Sequence, residues 1–95
     1  MAEMQLLDEV KSALRVSTND AGINSEIKTL IQACVLDLKS AGVKIDLDDD
    51  LIKLAIVTFC KARFGFDNPD AEGFSKSYTI IKQHLMNYGE YLNEK

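Results

Sequence analysis

Residues 51–64, "LIKLAIVTFCKARF", constrain the fold more than any other stretch of the chain. Wound at 100° per residue, Leu51, Ile52, Leu54, Ala55, Ile56, Val57, Phe59 and Cys60 point to every side of a helix axis. A helix that is apolar all round must be surrounded, either by lipid or by other parts of a protein. The helix expected around it, from about 49 to 64, is about 16 residues long, short of the roughly 20 needed to cross a bilayer. It is therefore expected to be the central element of a helical core, with Leu51, Leu54, Ala55, Phe59 and Cys60 inside.

The residues just before it raise a second possibility. Asp46, Asp48 and Asp50 alternate as the first ligands of an EF-hand loop do. Such a loop needs glycine at its sixth position and a bidentate glutamate at its twelfth. Counted from Asp46, those positions hold Leu51 and Val57. The calcium reading fails on spelling, whereas carboxylates at the positive end of a helix dipole are favourable and can cap its free N–H groups. The aspartates mark a helix start.

Elsewhere the apolar spacing is helical, without a convincing alternation of period two. Helices are expected over about 3–14, 21–41, 49–64 and 69–88, the last extending to 92 if unbroken. In the first, Leu6, Leu7, Val10 and Leu14 share a face. In the second, Ile23, Ile27, Leu30, Ile31, Cys34, Val35, Leu38 and Ala41 occupy an arc of about 140°. Gly42 suits the residue just past its end. The fourth is expected to start with Asn68 as N-cap and Pro69 at the first helical position. Its seam of Phe74, Tyr78, Ile81, Leu85, Tyr88 and Leu92 would outrun the third helix, about 36 Å against about 24 Å. Surplus apolar surface is thus expected near the C-terminus, with Tyr88, Tyr91, Leu92 and Phe66 as the candidate protein interface. The fold class is all-α: a bundle of about four helices in one domain, 1–95, with the third helix central and a long C-terminal helix.

Charge and chemistry narrow the function. Eleven basic residues stand against 15 acidic ones, a net charge of −4, and no stretch concentrates the basic ones. Binding to phosphate backbones needs such clusters, so a sequence-reading DNA-binding protein is not expected. Cys34 and Cys60 fall at apolar helical positions without a CxxC spacing and read as buried thiols in a reducing compartment. The N-terminus carries acidic residues where a signal peptide would be positive. His84, the one histidine, points away from the seam, and no metal set can be assembled around it. No nucleophile elbow, Walker loop or dinucleotide fingerprint occurs, and no catalytic, cofactor or metal site is expected.

The succession "LLDEVKSALRV", "TNDAGINSEIKTLIQACVLDLKSAGV" and "DDDLIKLAIVTFCKARFGFDNPD", followed by one more helix, resembles the head–tail connector proteins of long-tailed bacteriophages and prophages, also called head completion or DNA-packaging adaptor proteins. The likeness covers nearly the whole chain. The segment "AGVKID" lacks the threonine–glycine–arginine turn that many members carry there, and residues 75–95 have no closely defined counterpart. The resemblance implies a non-enzymatic structural protein without cofactors, made in the bacterial host cytoplasm and incorporated in the virion. It would form a homo-oligomeric ring beneath the portal protein, extend the channel through which double-stranded DNA passes, and support a downstream head-completion or tail protein. No membrane partner is implied. The alternative from residue chemistry alone is a small helical adaptor or regulatory module that binds another protein.

Overall fold

The computed structural model describes residues 2–65 and 68–92, with side chains from residue 5 onward. Four helices follow one another: α1 (Ala2–Ala13), α2 (Ala21–Ser40), α3 (Asp50–Arg63) and α4 (Ala71–Asn87), with a 3-10 turn at Gly89–Tyr91. An isolated antiparallel bridge joins Val43 to Leu92; among the described residues there is no strand.

Local chemistry sets most helix ends. Asp20 caps α2 by accepting from the Ile23 N–H at 3.0 Å. Asp49 caps α3, accepting from the N–H groups of Leu51 and Ile52 at 2.9 and 3.2 Å. Asp46 braces the preceding turn by accepting from the Asp48 N–H at 3.0 Å. The bonds to Ile23, Leu51 and Ile52 satisfy donors that the first turn of a helix would otherwise leave unpaired. At the other end of α2, the Val43 N–H reaches the Leu38 carbonyl and the Gly42 N–H that of Lys39, both at 2.9 Å. This paired closure needs a left-handed residue at its centre, which Gly42 provides at φ 86°. α1 closes identically, with Val16 to Lys11 and Arg15 to Ser12, yet its left-handed residue is Arg15 at φ 61°.

α3 packs against each of the other three helices, most extensively against α4. Ile52, Ala55, Ile56, Thr58, Phe59, Cys60 and Ala62 are buried along it. Phe59 meets Tyr78 of α4 edge to face, with ring centroids 5.1 Å apart. Leu6 and Val10 from α1, Ile27, Cys34 and Leu38 from α2, and Tyr78 and Leu85 from α4 complete the core.

Two expectations are corrected. Leu54 was assigned to the core but is 50% exposed, and Leu51 is half-buried at its edge. Three neighbouring helices cover three sides of α3, and the stripe through Leu51 and Leu54 occupies the remaining one. α4 starts at Ala71 after Asp70, not at Pro69, because Asn68 serves the turn instead. Its Oδ1 accepts from the Asp70 N–H at 3.1 Å, while its Nδ2 donates to the Lys61 carbonyl at 2.5 Å. The helix stops at Asn87, one residue from the expected bound of 88 and short of 92; Tyr88 is extended and the chain turns back. At 17 residues α4 is longer than α3, with 14, and shorter than α2, with 20.

Candidate protein-binding faces

The returning C-terminal segment uses up part of the surface expected to be free. The Tyr91 hydroxyl donates to Asp49, 2.9 Å from Oδ2 and 3.1 Å from Oδ1. The Tyr91 carbonyl accepts from the Lys44 N–H at 2.6 Å, and Leu92 makes the bridge to Val43. Tyr91 and Leu92 are therefore half-buried against their own chain. Asp49 consequently holds the start of α3 and the 3-10 turn at Gly89–Tyr91 with one carboxylate. Desolvation would raise its pKa, but the Ile52 N–H, the Tyr91 hydroxyl and the Leu51 N–H outweigh that and hold it below the usual carboxylate range. Tyr88 differs: it is 49% exposed, with its ring edge to face against His84 at 4.5 Å. Phe66 lies outside the described residues.

A second polar cluster ties α2 to α4. Tyr78 donates to Asp37 Oδ2 at 2.6 Å, and Lys82 approaches both Asp37 oxygens at 3.0 and 3.1 Å. Cys34 Sγ donates to the Tyr78 oxygen at 3.7 Å. Burial pushes the thiols of Cys34 and Cys60 up to about 12, so both are protonated and poorly nucleophilic at neutral pH. Burial first, and the Asp37 carboxylate next, raise the Tyr78 hydroxyl above its ordinary range. The cluster is a structural clasp between two helices.

The cations at the end of α3 also have packing roles. Lys61 Nζ lies 5.5 Å from the centre of the Phe74 ring, and the Arg63 guanidinium lies 4.0 Å from that of Phe59. Both are within range of a cation–π attraction. Among the described residues, no group of three or more His, Cys, Asp or Glu side chains is placed to hold a metal ion.

Exposed apolar surface is the feature left over. Leu36, Leu54, Ile80, Met86 and Tyr88 are all large, hydrophobic and open to solvent. A groove runs between α1, α2 and the loop after α2, lined by Leu7, Ile31, Val35, Leu36, Ile45 and Leu47. Lys28, Lys39 and Lys44 stand along it, with Asp8 as its acidic lining residue. Sequence reasoning missed this groove. Its one visible sign is Leu36, an apolar residue outside the α2 core arc and 67% exposed.

Short helices, polar clusters that serve packing within the chain and exposed apolar side chains define a class: a helical protein built to contact other proteins. The comparison with known families goes further. The phage connector protein family matches residues 6–92, nearly the whole chain, and the protein belongs to that family. Membership makes it a structural connector of phage particles, a component that meets other head or tail proteins. No curated protein and no solved structure matches it.

Proposed function

We propose that this protein is a head-completion connector that assembles as a ring beneath the phage portal. Twelve or so copies would continue the portal channel, help retain packaged DNA and present a platform to the next head-completion or tail protein. Double-stranded DNA would pass through without sequence reading, consistent with a net charge of −4. The chain would be made in the bacterial host cytoplasm and carried in the virion, and its work would be structural and free of cofactors.

The observation that carries this reading is exposed apolar surface on more than one helix of a family member, at Leu36 on α2, Leu54 on α3 and Ile80 on α4. Each subunit of a ring offers two different faces to its neighbours, a heterologous contact that closes by rotation. Tyr91 and Leu92 are occupied internally, so Tyr88 is the residue of the C-terminal set with surface to offer a neighbour or the portal. Electron microscopy of the protein mixed with its cognate portal tests the proposal. A ring of added density continuing the channel is expected; portal particles indistinguishable from portal alone would refute it.

A further inference from the structure

The groove has a counterpart on the same chain. α3 and α4 run antiparallel, since Lys61 meets Phe74, Phe59 meets Tyr78 and Asp49 meets Tyr91. That register sets Leu54 beside the turn containing Ile81 and Leu85, and Leu51 near Tyr88. Leu51, Leu54 and Val57 share a stripe of α3, while Ile81 lies on α4 and Tyr88 just past its end. Together they form an apolar ridge that is half-buried to exposed. One end of the ridge is acidic, because Asp48, Asp50 and Glu90 are all exposed there.

The groove lies on the α1–α2 side of the molecule and the ridge on the α3–α4 side; they approach each other at residues 43–44, where Val43 bridges Leu92 and the Lys44 N–H bonds the Tyr91 carbonyl. Their charges differ in sign. Lys28, Lys39 and Lys44 along the groove form no ion pair among the described residues. Pairing groove with groove would bring two lysine rims together, and pairing ridge with ridge would oppose two acidic ends. Charge complementarity disfavours both and favours the mixed contact.

Resting on the connector reading, we infer that the α1–α2 groove of one copy receives the α3–α4 ridge of the next, with the acidic end of the ridge against the lysine rim. This is a head-to-tail contact between two different surfaces, so each subunit keeps one groove and one ridge free until the assembly closes.

The test uses the full chain with Leu36→Asp in the groove and Leu54→Asp on the ridge. Both positions are exposed, so both variants should melt as the wild-type chain does. Sedimentation velocity is run at concentrations up to on the order of 1 mM, where a contact of even weak affinity populates assemblies. The wild-type chain should associate beyond a dimer, and each variant alone should stay monomeric. An equal mixture should stop at one-to-one dimers, because a single intact groove meets a single intact ridge. A monomeric wild-type chain, or variants that associate as it does, would overturn the contact. Portal rings incubated with the same proteins separate the two readings. Wild-type association through both faces without portal binding would leave this contact standing and remove the connector reading. Portal binding that is lost in Leu36→Asp while self-association persists would assign the groove to the portal and overturn the inference.

Discussion

Phe59→Ala tests the centre of the fold most directly. The ring is 5% exposed, lies edge to face against Tyr78 at 5.1 Å, and carries the Arg63 guanidinium 4.0 Å from its centre. Truncating a buried phenylalanine costs about 3–5 kcal/mol. The aromatic pair accounts for about 0.5–1.5 kcal/mol of that. The exposed Arg63 contact adds about 0.5–1 kcal/mol. A chain of 95 residues has a total stability of about 5–14 kcal/mol, so the loss is a large share of what holds it folded. At roughly 4 °C or more per kcal/mol for a domain of this size, the melting midpoint should fall by at least about 12 °C. Thermal unfolding followed by circular dichroism reads this directly. Arg63→Ala, alone and combined with Phe59→Ala, gives a double-mutant cycle whose coupling should be about 0.5–1 kcal/mol. A midpoint within about 2 °C of wild type would show that Phe59 is not in the core and that the packing of α3 against α4 is wrong.

Three further outcomes follow from the same geometry. Arg15 sits at φ 61° where α1 closes, so Arg15→Gly should stabilise the protein by up to about 1–2 kcal/mol, read as a raised melting midpoint; a lowered one would contradict the closure. Desolvation raises the Asp37 pKa, but the Tyr78 and Lys82 bonds outweigh it and hold the carboxyl below its ordinary 3.8. The unfolded chain then binds that proton more readily, so the contribution is present above about pH 4 and lost as pH falls through the folded value. Asp37→Asn should flatten that acid limb of a stability–pH curve, and an unchanged limb would place the dependence elsewhere. Asp49→Ala should remove the cap of α3, costing about 1 kcal/mol, and release Tyr91. Hydrogen exchange should then quicken at the Lys44 amide, which bonds the Tyr91 carbonyl, more than at the Val43 amide, which bonds that of Leu38. Equal acceleration at both would signal general loosening instead.

The parts of this fold legible in the sequence are those decided by neighbours along the chain. An aspartate two or three residues before an apolar run can cap it, and Asp49 does. A glycine after a helical arc can close it, and Gly42 does. Which of the two ends expected for α4 holds, 88 or 92, was not legible for the opposite reason. Its seven-residue apolar rhythm continues through Leu92, but the Tyr91 hydroxyl finds a carboxylate 42 residues away, and that contact together with the Val43–Leu92 bridge outweighs continued helix. Likewise the groove is assembled from α1, α2 and residues 43–47, and no single window of sequence contains it.

The misplacement of Leu54 has a geometric cause that also bears on function. The molecule measures 41 × 32 × 19 Å, and 19 Å is about two helix diameters. In a plate two helices thick, a central helix can be covered on three sides by its own chain, whereas its fourth side reaches the surface. A sequence meant to stand alone would make that fourth side polar, since a charged residue there costs the fold nothing. Here Leu54 and Val57 stand among Asp50, Lys53 and Lys61 on that side, with Leu51 half-buried at its edge, so large apolar side chains reach solvent between the charges. In the head-to-tail contact proposed above, a neighbouring subunit would cover this side of α3, and the same residues would then lie inside a larger core.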